Sequence, residues 1–324
     1  MNRTRRILIT EPIVPAVMEK LSARYDVTIG QRGYYNIKEN LLNDLPEYDA
    51  VLCMLSNPLD GDVIKSAKRL QIIANNAVGY NNIDVDTARE AGILVANTPD
   101  VLTDATADGT FALLLAVARR IPEAERALRR GEFDGWNPTG FLGMELRGKT
   151  LGIIGMGRIG TGVARRARAF GMKIAYHNRS RADHATETEL EAEYVDTVPA
   201  LCRQSDIISL HCPLTAETKH LMNGKMLTNM KKTAILINAA RGPVVDEAAL
   251  AAALKSGIIA GAGLDVYEHE PEVHPDLPAL ENCVLLPHIT SATDETREAM
   301  GHLAADAIIG VLEGKAAESI ANLL

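Results

Sequence analysis

The sequence predicts an α/β protein made of two doubly wound parallel-sheet domains. Three observations carry that expectation. Short apolar segments alternate with amphipathic ones through both halves of the 324 residues. Residues 151–160 place glycines at 155, 157 and 160, between an apolar strand and a segment of helical periodicity. The turn-rich run Asn97-Thr98-Pro99-Asp100 separates the two halves. A lone G-x-G-x-x-G is weak evidence, but strand, tight turn and helix in that order mark a dinucleotide-binding βαβ unit of the Rossmann type.

Composition narrows the class. Hydrophobic residues make up 47% of the chain, enough for a sizeable core, and the net charge of −8 comes without a long basic run. Disorder and a nucleic-acid surface are both disfavoured. Cys53, Cys202, Cys212 and Cys283 show neither CxxC spacing nor a metal-ligand cluster, so no metal is expected and they read as reduced thiols. Arg3, Arg5 and Arg6 precede only Ile7-Leu8-Ile9, too short an apolar run for a signal peptide, and no run approaches a membrane span. A soluble cytoplasmic protein is expected.

In chain order, residues 7–10 read as a strand and 14–21 as a helix opened by Pro15. Residues 26–29 form a weaker strand. Strands at 50–54 and 71–74 are clearer, with a helix near 62–68 between them, and the strand 93–95 closes the series after the helical 85–91. This predicts a smaller, flavodoxin-like domain of its own. Its loops 55–58 and 76–80 follow strands and so lie at the carboxyl edge, where open α/β sheets bind ligands.

Thr103 or Asp104 caps a helix expected to reach about Arg120. Its centre, 111–118, is apolar on every side and is expected to be buried all round, between domains or subunits. Residues 131–143 carry Phe133, Trp136 (the only tryptophan), Pro138 and Phe141, as a structured connection or as an arm on a partner subunit. The second domain then shows strands at 150–154, 173–177, 206–211, 233–237, 259–263 and 283–286. Helices are expected at 158–170, 197–203 and 246–256, and a last one over 292–313. The domain limits follow: 1–101 with 289–324 for the smaller domain, 102–288 for the Rossmann domain.

Three chemically able residues follow three of these strands: Arg241 in Asn238-Ala239-Ala240-Arg241-Gly242, Glu270 in Glu268-His269-Glu270-Pro271, and His288 after Val284-Leu285-Leu286-Pro287. Singly, each reads as a surface residue. At the carboxyl ends of parallel strands they are placed to converge.

Together with Asn76-Ala77-Val78-Gly79-Tyr80-Asn81-Asn82-Ile83-Asp84, Asn97-Thr98-Pro99-Asp100-Val101-Leu102-Thr103, the glycine turn, His211-Cys212-Pro213-Leu214-Thr215, Asp265-Val266-Tyr267-Glu268 and Pro287-His288-Ile289-Thr290-Ser291-Ala292, they closely resemble the D-isomer-specific 2-hydroxyacid dehydrogenases. Residues 100–107 and 288–297 are most similar to the glyoxylate/hydroxypyruvate and 2-ketogluconate reductases of that family. The resemblance implies a catalytic set of Arg241, Glu270 and His288. It implies a substrate site of Leu55, the Val78 and Gly79 amides, Arg241 and His288. The cofactor contacts it implies are Thr106, Gly155, Gly157, Arg158, Ile159, Gly160, Asn178, Arg179, Ser180, Arg181, His211, Cys212, Pro213, Thr218, Ala239, Ala240, Asp265 and Ser291. A homodimer built on the 103–120 helix, with the Trp136 loop near the partner's active site, is implied as well. So is the absence of the extra regulatory domain of long phosphoglycerate dehydrogenases. Two positions depart from the family pattern. Asn81 stands where Asp is frequent, and Thr290 where Gly is usual, which is expected to crowd the pocket and shift substrate preference.

The chemistry suits these side chains. Reduction of a 2-oxo acid needs a proton for the developing alkoxide, which an imidazolium at His288 supplies; a carboxylate at Glu270 favours the charged ring and orients it. Arg241 has the donor fork to hold a carboxylate and polarise a carbonyl. Formate-oxidising relatives carry Gln at the Glu270 position, so Glu270 argues against that activity. A phosphite or phosphoglycerate dehydrogenase on the same scaffold is one alternative, and a non-catalytic nucleotide sensor, as related corepressors are, is the other. The cofactor reading comes from the second strand of the Rossmann unit. NAD-specific enzymes place an acid about 20 residues past the glycine turn. Here Asn178 stands in that place, followed by Arg179, Ser180 and Arg181, so NADP(H) is expected to be preferred, with NAD(H) as the alternative.

Overall fold

The computed structural model describes residues 4–315 and residue 323. Their Cα packing divides into two compact units: the described parts of Met1–Leu102 and Thr293–Leu324 form one, and Thr103–Ala292 the other.

In the first unit, strands β1 (Arg6–Ile9), β2 (Asp26–Ile29), β3 (Ala50–Cys53), β4 (Ile72–Asn75) and β5 (Leu94–Ala96) form a wholly parallel sheet in the order β2-β1-β3-β4-β5. Every residue of β3 and β4 is buried, as a strand covered on both faces requires. Helices α1 (Pro15–Ser22), α2 (Lys38–Asp44), α3 (Gly61–Ser66) and α4 (Val85–Glu90), with the last helix Asp294–Leu312, supply the cover. Val17 and Leu21 of α1 join Ala304, Ala305 and Ile308 of the last helix under Ile7, Ile9, Leu52 and Ile72. The opposite face packs Leu8, Val51 and Ile73 against Leu41, Val63 and Ile64. Asp60, Asp84 and Thr293 cap their helices through side-chain oxygens. The sequence does not signal α2, because its residues are mostly polar and only Leu41 is buried.

The second unit comprises α5 (Thr103–Ala118), α6 (Ile121–Arg129), β6 (Thr150–Ile154), α7 (Arg158–Ala169), β7 (Lys173–His177), α8 (His184–Leu190), β8 (Ala192–Tyr194), α9 (Val198–Gln204), β9 (Ile207–Leu210), α10 (Gly224–Leu227), β10 (Ile235–Asn238), α11 (Glu247–Lys255), β11 (Gly261–Leu264) and β12 (Cys283–Leu285). Its seven parallel strands run β12-β11-β10-β9-β6-β7-β8. This is the Rossmann order with a seventh strand added beside β11. The chain reverses its direction across the sheet between β6 and β9, so the crevice for a ligand opens at the carboxyl ends of those two strands.

Three expectations need adjusting here. The helix expected to run to Arg120 ends at Ala118, because Arg120 takes a left-handed φ of 54° and Pro122 then starts α6, which the sequence reading omitted. Residues 111–118 are not buried all round within the chain: Leu113, Leu114 and Val117 face the core, while Ala112 is exposed and Leu115 and Ala116 are half-buried. Strands β10 and β11 start two residues later than the apolar pattern suggested, since Thr233, Ala234 and Ala260 still belong to the turns that enter them.

Candidate active site

The glycine turn is built as its residue types dictate. Gly155 has φ 94°, and a Cβ there would lie 2.5 Å from the Cys212 nitrogen. A Cβ on Gly160 would fall 2.6 Å from the Gly155 carbonyl oxygen, so α7 lies directly against the turn. Gly157 is the opposite case: a Cβ there would meet nothing within 4 Å. The backbone at Gly157, the N-cap of α7, therefore faces open space with the first helical amides behind it. A dinucleotide's pyrophosphate fits that space.

Asn178, at the end of β7, bonds back to the turn: its Oδ1 accepts from the Met156 amide at 2.6 Å and its Nδ2 donates to the Met156 carbonyl at 3.3 Å. Arg179 and Ser180 beside it are exposed. Arg181 is exposed too but held, with Nε donating to Glu187 at 2.7 Å and its guanidinium over the Tyr194 ring at 5.7 Å. Glu187 also accepts from the Tyr176 hydroxyl. The hydrogen bonds from Arg181 and Tyr176 keep the Glu187 carboxyl below its usual range, and burial with Glu187 pushes Tyr176 up to about 12.

Of the other residues expected at the cofactor, Arg158 and Ile159 open α7, and Ala239 and Ala240 form the half-buried turn after β10. His211 follows β9. Burial lowers its pKa to about 4, and its Nε2 lies 2.8 Å from the Ser209 hydroxyl, so it is a neutral ring at ordinary pH. Cys212 is buried beneath the glycine turn and Pro213 is exposed. The Thr218 hydroxyl closes its own loop, donating to the Pro213 carbonyl at 2.6 Å and accepting from the Thr215 amide at 2.8 Å. Thr106 is buried, and its hydroxyl has no protein partner among the described residues. Ser291 is half-buried after β12. Asp265 stands apart from this set. It has no exposed surface, and its carboxylate accepts from the Ile289 amide at 2.7 Å, the Thr290 amide at 3.0 Å and the Thr290 hydroxyl at 2.6 Å.

The three residues that follow strands do come together. His288 Nδ1 lies 2.9 Å from Glu270 Oε2, and the other Glu270 oxygen accepts from the Tyr267 amide at 3.1 Å. Burial pushes the Glu270 carboxyl up, but the His288 hydrogen bond and charge, the Tyr267 amide and the Arg241 charge outweigh it, so the group sits below its usual range. Arg241 is the mirror case. Burial lowers its pKa while Glu270 opposes that, and a guanidinium remains charged regardless.

Neighbours that the sequence reading did not single out hold this triad. Asn238, at the end of β10, donates to the Arg241 carbonyl at 3.0 Å and accepts from the Ala240 amide at 3.1 Å. Buried Glu247 and half-buried Glu268 clasp each other: Glu268 N–H donates to Glu247 at 2.6 Å, and Glu247 N–H donates to Glu268 at 3.1 Å. Glu268 also pairs with His220 at 2.5 Å. The loop carrying Glu270 is thus fixed from two sides. A buried acid in the first turn of α11 was the available signal, but from the sequence it reads as an ordinary helix-start residue.

In the first unit, the Val78 carbonyl accepts from Asn97 at 2.8 Å and the Gly79 carbonyl from Asn75 at 2.7 Å. With the carbonyls taken, the two amide N–H groups have no protein partner among the described residues. Leu55 is half-buried. Nearby polar atoms, Asn76 Oδ1, Asn82 Oδ1 and Thr98 Oγ1, are buried and have no hydrogen-bond partner among the described residues. Among the described residues no cluster of His, Cys, Asp or Glu is arranged for a metal ion, and no helix is long and apolar enough to cross a membrane.

Comparison with known proteins agrees with this geometry. Residues 111–290 match the family model described as D-isomer specific 2-hydroxyacid dehydrogenase, NAD binding domain. The chain is 48% identical over 323 residues to a glyoxylate reductase of Aeropyrum pernix, covering 98% of this chain and 96% of that protein. It is 49% identical over 321 residues to one of Thermococcus kodakarensis, with the same coverage. Among solved structures, an NADPH-dependent glyoxylate/hydroxypyruvate reductase from Sinorhizobium meliloti, in complex with NADP and malonate, is similar with a TM-score of 0.86 and 37% identity, covering 96% of this chain and 95% of that one. A glyoxylate reductase from Paecilomyes thermophila has a TM-score of 0.86 and 38% identity over 97% of each chain.

Proposed function

Because this chain belongs to the D-isomer-specific 2-hydroxyacid dehydrogenases, NAD(P)-dependent oxidoreductases acting on CH–OH groups, we propose that it reduces small 2-oxo acids to D-2-hydroxy acids. Glyoxylate leads, with hydroxypyruvate and 2-ketogluconate in the same substrate class, and NADPH is the preferred cofactor. The observation that carries the reading is the 2.9 Å pair between His288 and Glu270 in the charge field of Arg241. The glyoxylate reductases similar to this chain support the choice of acid.

The bound nicotinamide supplies the hydride. Arg241 holds the substrate carboxylate and polarises the carbonyl with its fixed fork of donors. His288 engages Glu270 through Nδ1, which leaves Nε2 to deliver a proton to the oxygen where charge develops. Glu270, kept ionised, holds the ring in that orientation. The Val78 and Gly79 amides are assigned to the substrate carboxylate. For the cofactor, Asn178 leaves no acid to repel a 2′-phosphate, and Arg179 is the exposed cation next to it. A charge-assisted hydrogen bond contributes about 1.5–3 kcal/mol, enough to favour NADPH over NADH about tenfold.

A homodimer is part of the proposal. Leu142, Phe133 and Trp136 are 65–86% exposed on the segment between α6 and β6. Leu142 also lines a groove of about 1050 Å³, where Val117, Met144, Ile235 and Val284 alternate with charged residues such as Arg120, Glu123, Arg147 and Lys232. The exposed apolar side chains of this segment fit a second copy of the chain. The groove lies at the amino ends of the strands, away from the triad.

Steady-state turnover of the purified chain with NADPH and NADH against glyoxylate, hydroxypyruvate and 2-ketogluconate tests the reading. Turnover of at least one acid with higher kcat/KM for NADPH is expected; no turnover of any would point to a nucleotide sensor instead.

A further inference from the structure

The segment that delivers His288 is held by a device the proposed mechanism does not yet use. His288 has a φ of 55°, in the left-handed region that a β-carbon disfavours. Such a conformation persists only where surrounding contacts over-determine it. The contacts that do so act on the next two residues, not on the imidazole. Asp265, at the carboxyl end of β11, accepts the Ile289 amide at 2.7 Å on one oxygen; on the other it accepts the Thr290 amide at 3.0 Å and the Thr290 hydroxyl at 2.6 Å. From the opposite side α5 presses on the same point, where a Cβ added to Gly109 would lie 2.6 Å from both the Cα and the carbonyl oxygen of Thr290. Thr290 is 7% exposed and Asp265 not at all. The threonine hydroxyl is therefore turned into the protein, toward Asp265.

We propose that Thr290 is a positioning residue whose hydroxyl, with Asp265, clamps the 288–290 backbone and so holds His288 at the angle from which it meets Glu270 and the substrate. Asp265 supports the same clamp through two backbone amides. Removal of the hydroxyl leaves a buried carboxylate one donor short, the costly way to break a buried hydrogen bond. It also leaves two amides where there were three anchors. Loss of aim at a reacting group lowers the rate of the chemical step far more than it weakens substrate binding.

The proposal rests on the reading of His288 as the proton donor, so two readouts are taken on the full chain. Hydrogen exchange of the peptide covering residues 286–292 reports the clamp without reference to any reaction. Thr290→Val, which keeps the branched shape and drops the hydroxyl, should exchange faster there than wild type, and Thr290→Ser should restore protection. Thr290→Ala runs beside the valine variant in case its methyl is not tolerated next to Asp265. In steady-state reduction, Thr290→Val or Thr290→Ala should lose roughly tenfold or more in kcat, with KM for acid and cofactor within about twofold. Thr290→Ser should recover most of kcat. Unchanged exchange in both hydroxyl-free variants, an unchanged kcat, or a serine variant as impaired as the valine one would each overturn the proposal. Faster exchange in a protein whose wild type reduces no 2-oxo acid would leave the clamp standing and refute the assigned reaction instead.

Discussion

In the proposed reaction, Glu270 and Arg179 are the single side chains whose roles are most open to test. The Glu270 carboxyl is held low by His288, the Tyr267 amide and Arg241 against the opposing push of burial. A depressed carboxyl stabilises the fold above its unfolded value, and that contribution disappears as pH falls through the folded value. The Glu270 carboxylate is therefore ionised through the neutral range. Glu270→Gln, which keeps the shape but removes the charge that orients the His288 ring, should lower kcat about tenfold or more, and an unchanged kcat would mean that the two side chains do not act together. The two arginines after β7 differ in what holds them. Arg181 already donates to Glu187 and stacks over Tyr194, whereas Arg179 is exposed beside Asn178. Arg179→Ala should reduce kcat/KM for NADPH about tenfold, mainly through KM, and leave NADH nearly unaffected; Arg181→Ala should cost less. Equal losses with both cofactors would remove Arg179 from the 2′-phosphate.

Strands and their exits were the legible elements, because a parallel strand buried on both faces reads as an unbroken apolar run bounded by turns. That is why the glycine turn, Arg241, Glu270 and His288 were found from sequence. What escaped was structure whose reason lies elsewhere in the chain. The α6 helix begins only because Arg120 turns left-handed, β8 is a three-residue edge strand with no fully buried position, and α8 buries only Glu187 and Leu190. Thr290 shows the same limit, since a departure that suggested crowding is a tertiary hydrogen bond to Asp265. The packing of α5 on this loop has its own test. Gly109→Ala places a methyl 2.6 Å from the Thr290 backbone, which has no flexible end to give way. A loss of about 1–3 kcal/mol in unfolding free energy is expected from denaturant titration, together with lower kcat. Unchanged stability would show that α5 and the loop yield easily to each other.

At the scale of the whole molecule, the proposed dimer accounts for the outward apolar residues: Ala112 on α5, and Trp136, Phe133 and Leu142 on the segment after α6. Sedimentation at micromolar concentration should show a dimer, and Trp136→Ala with Leu142→Ser should shift it toward monomer; a wild-type monomer would refute the assembly. The proposed reaction uses the carboxyl ends of β10, β11 and β12, whose exits carry Arg241, Glu270 and His288. The most direct test of the account is the turnover of glyoxylate with NADPH by wild type and His288→Ala, with cofactor affinity measured alongside. Active wild type is expected, with a variant slower in kcat by about 10²–10⁴-fold that binds NADPH as wild type does. A variant turning over at nearly the wild-type rate would contradict it.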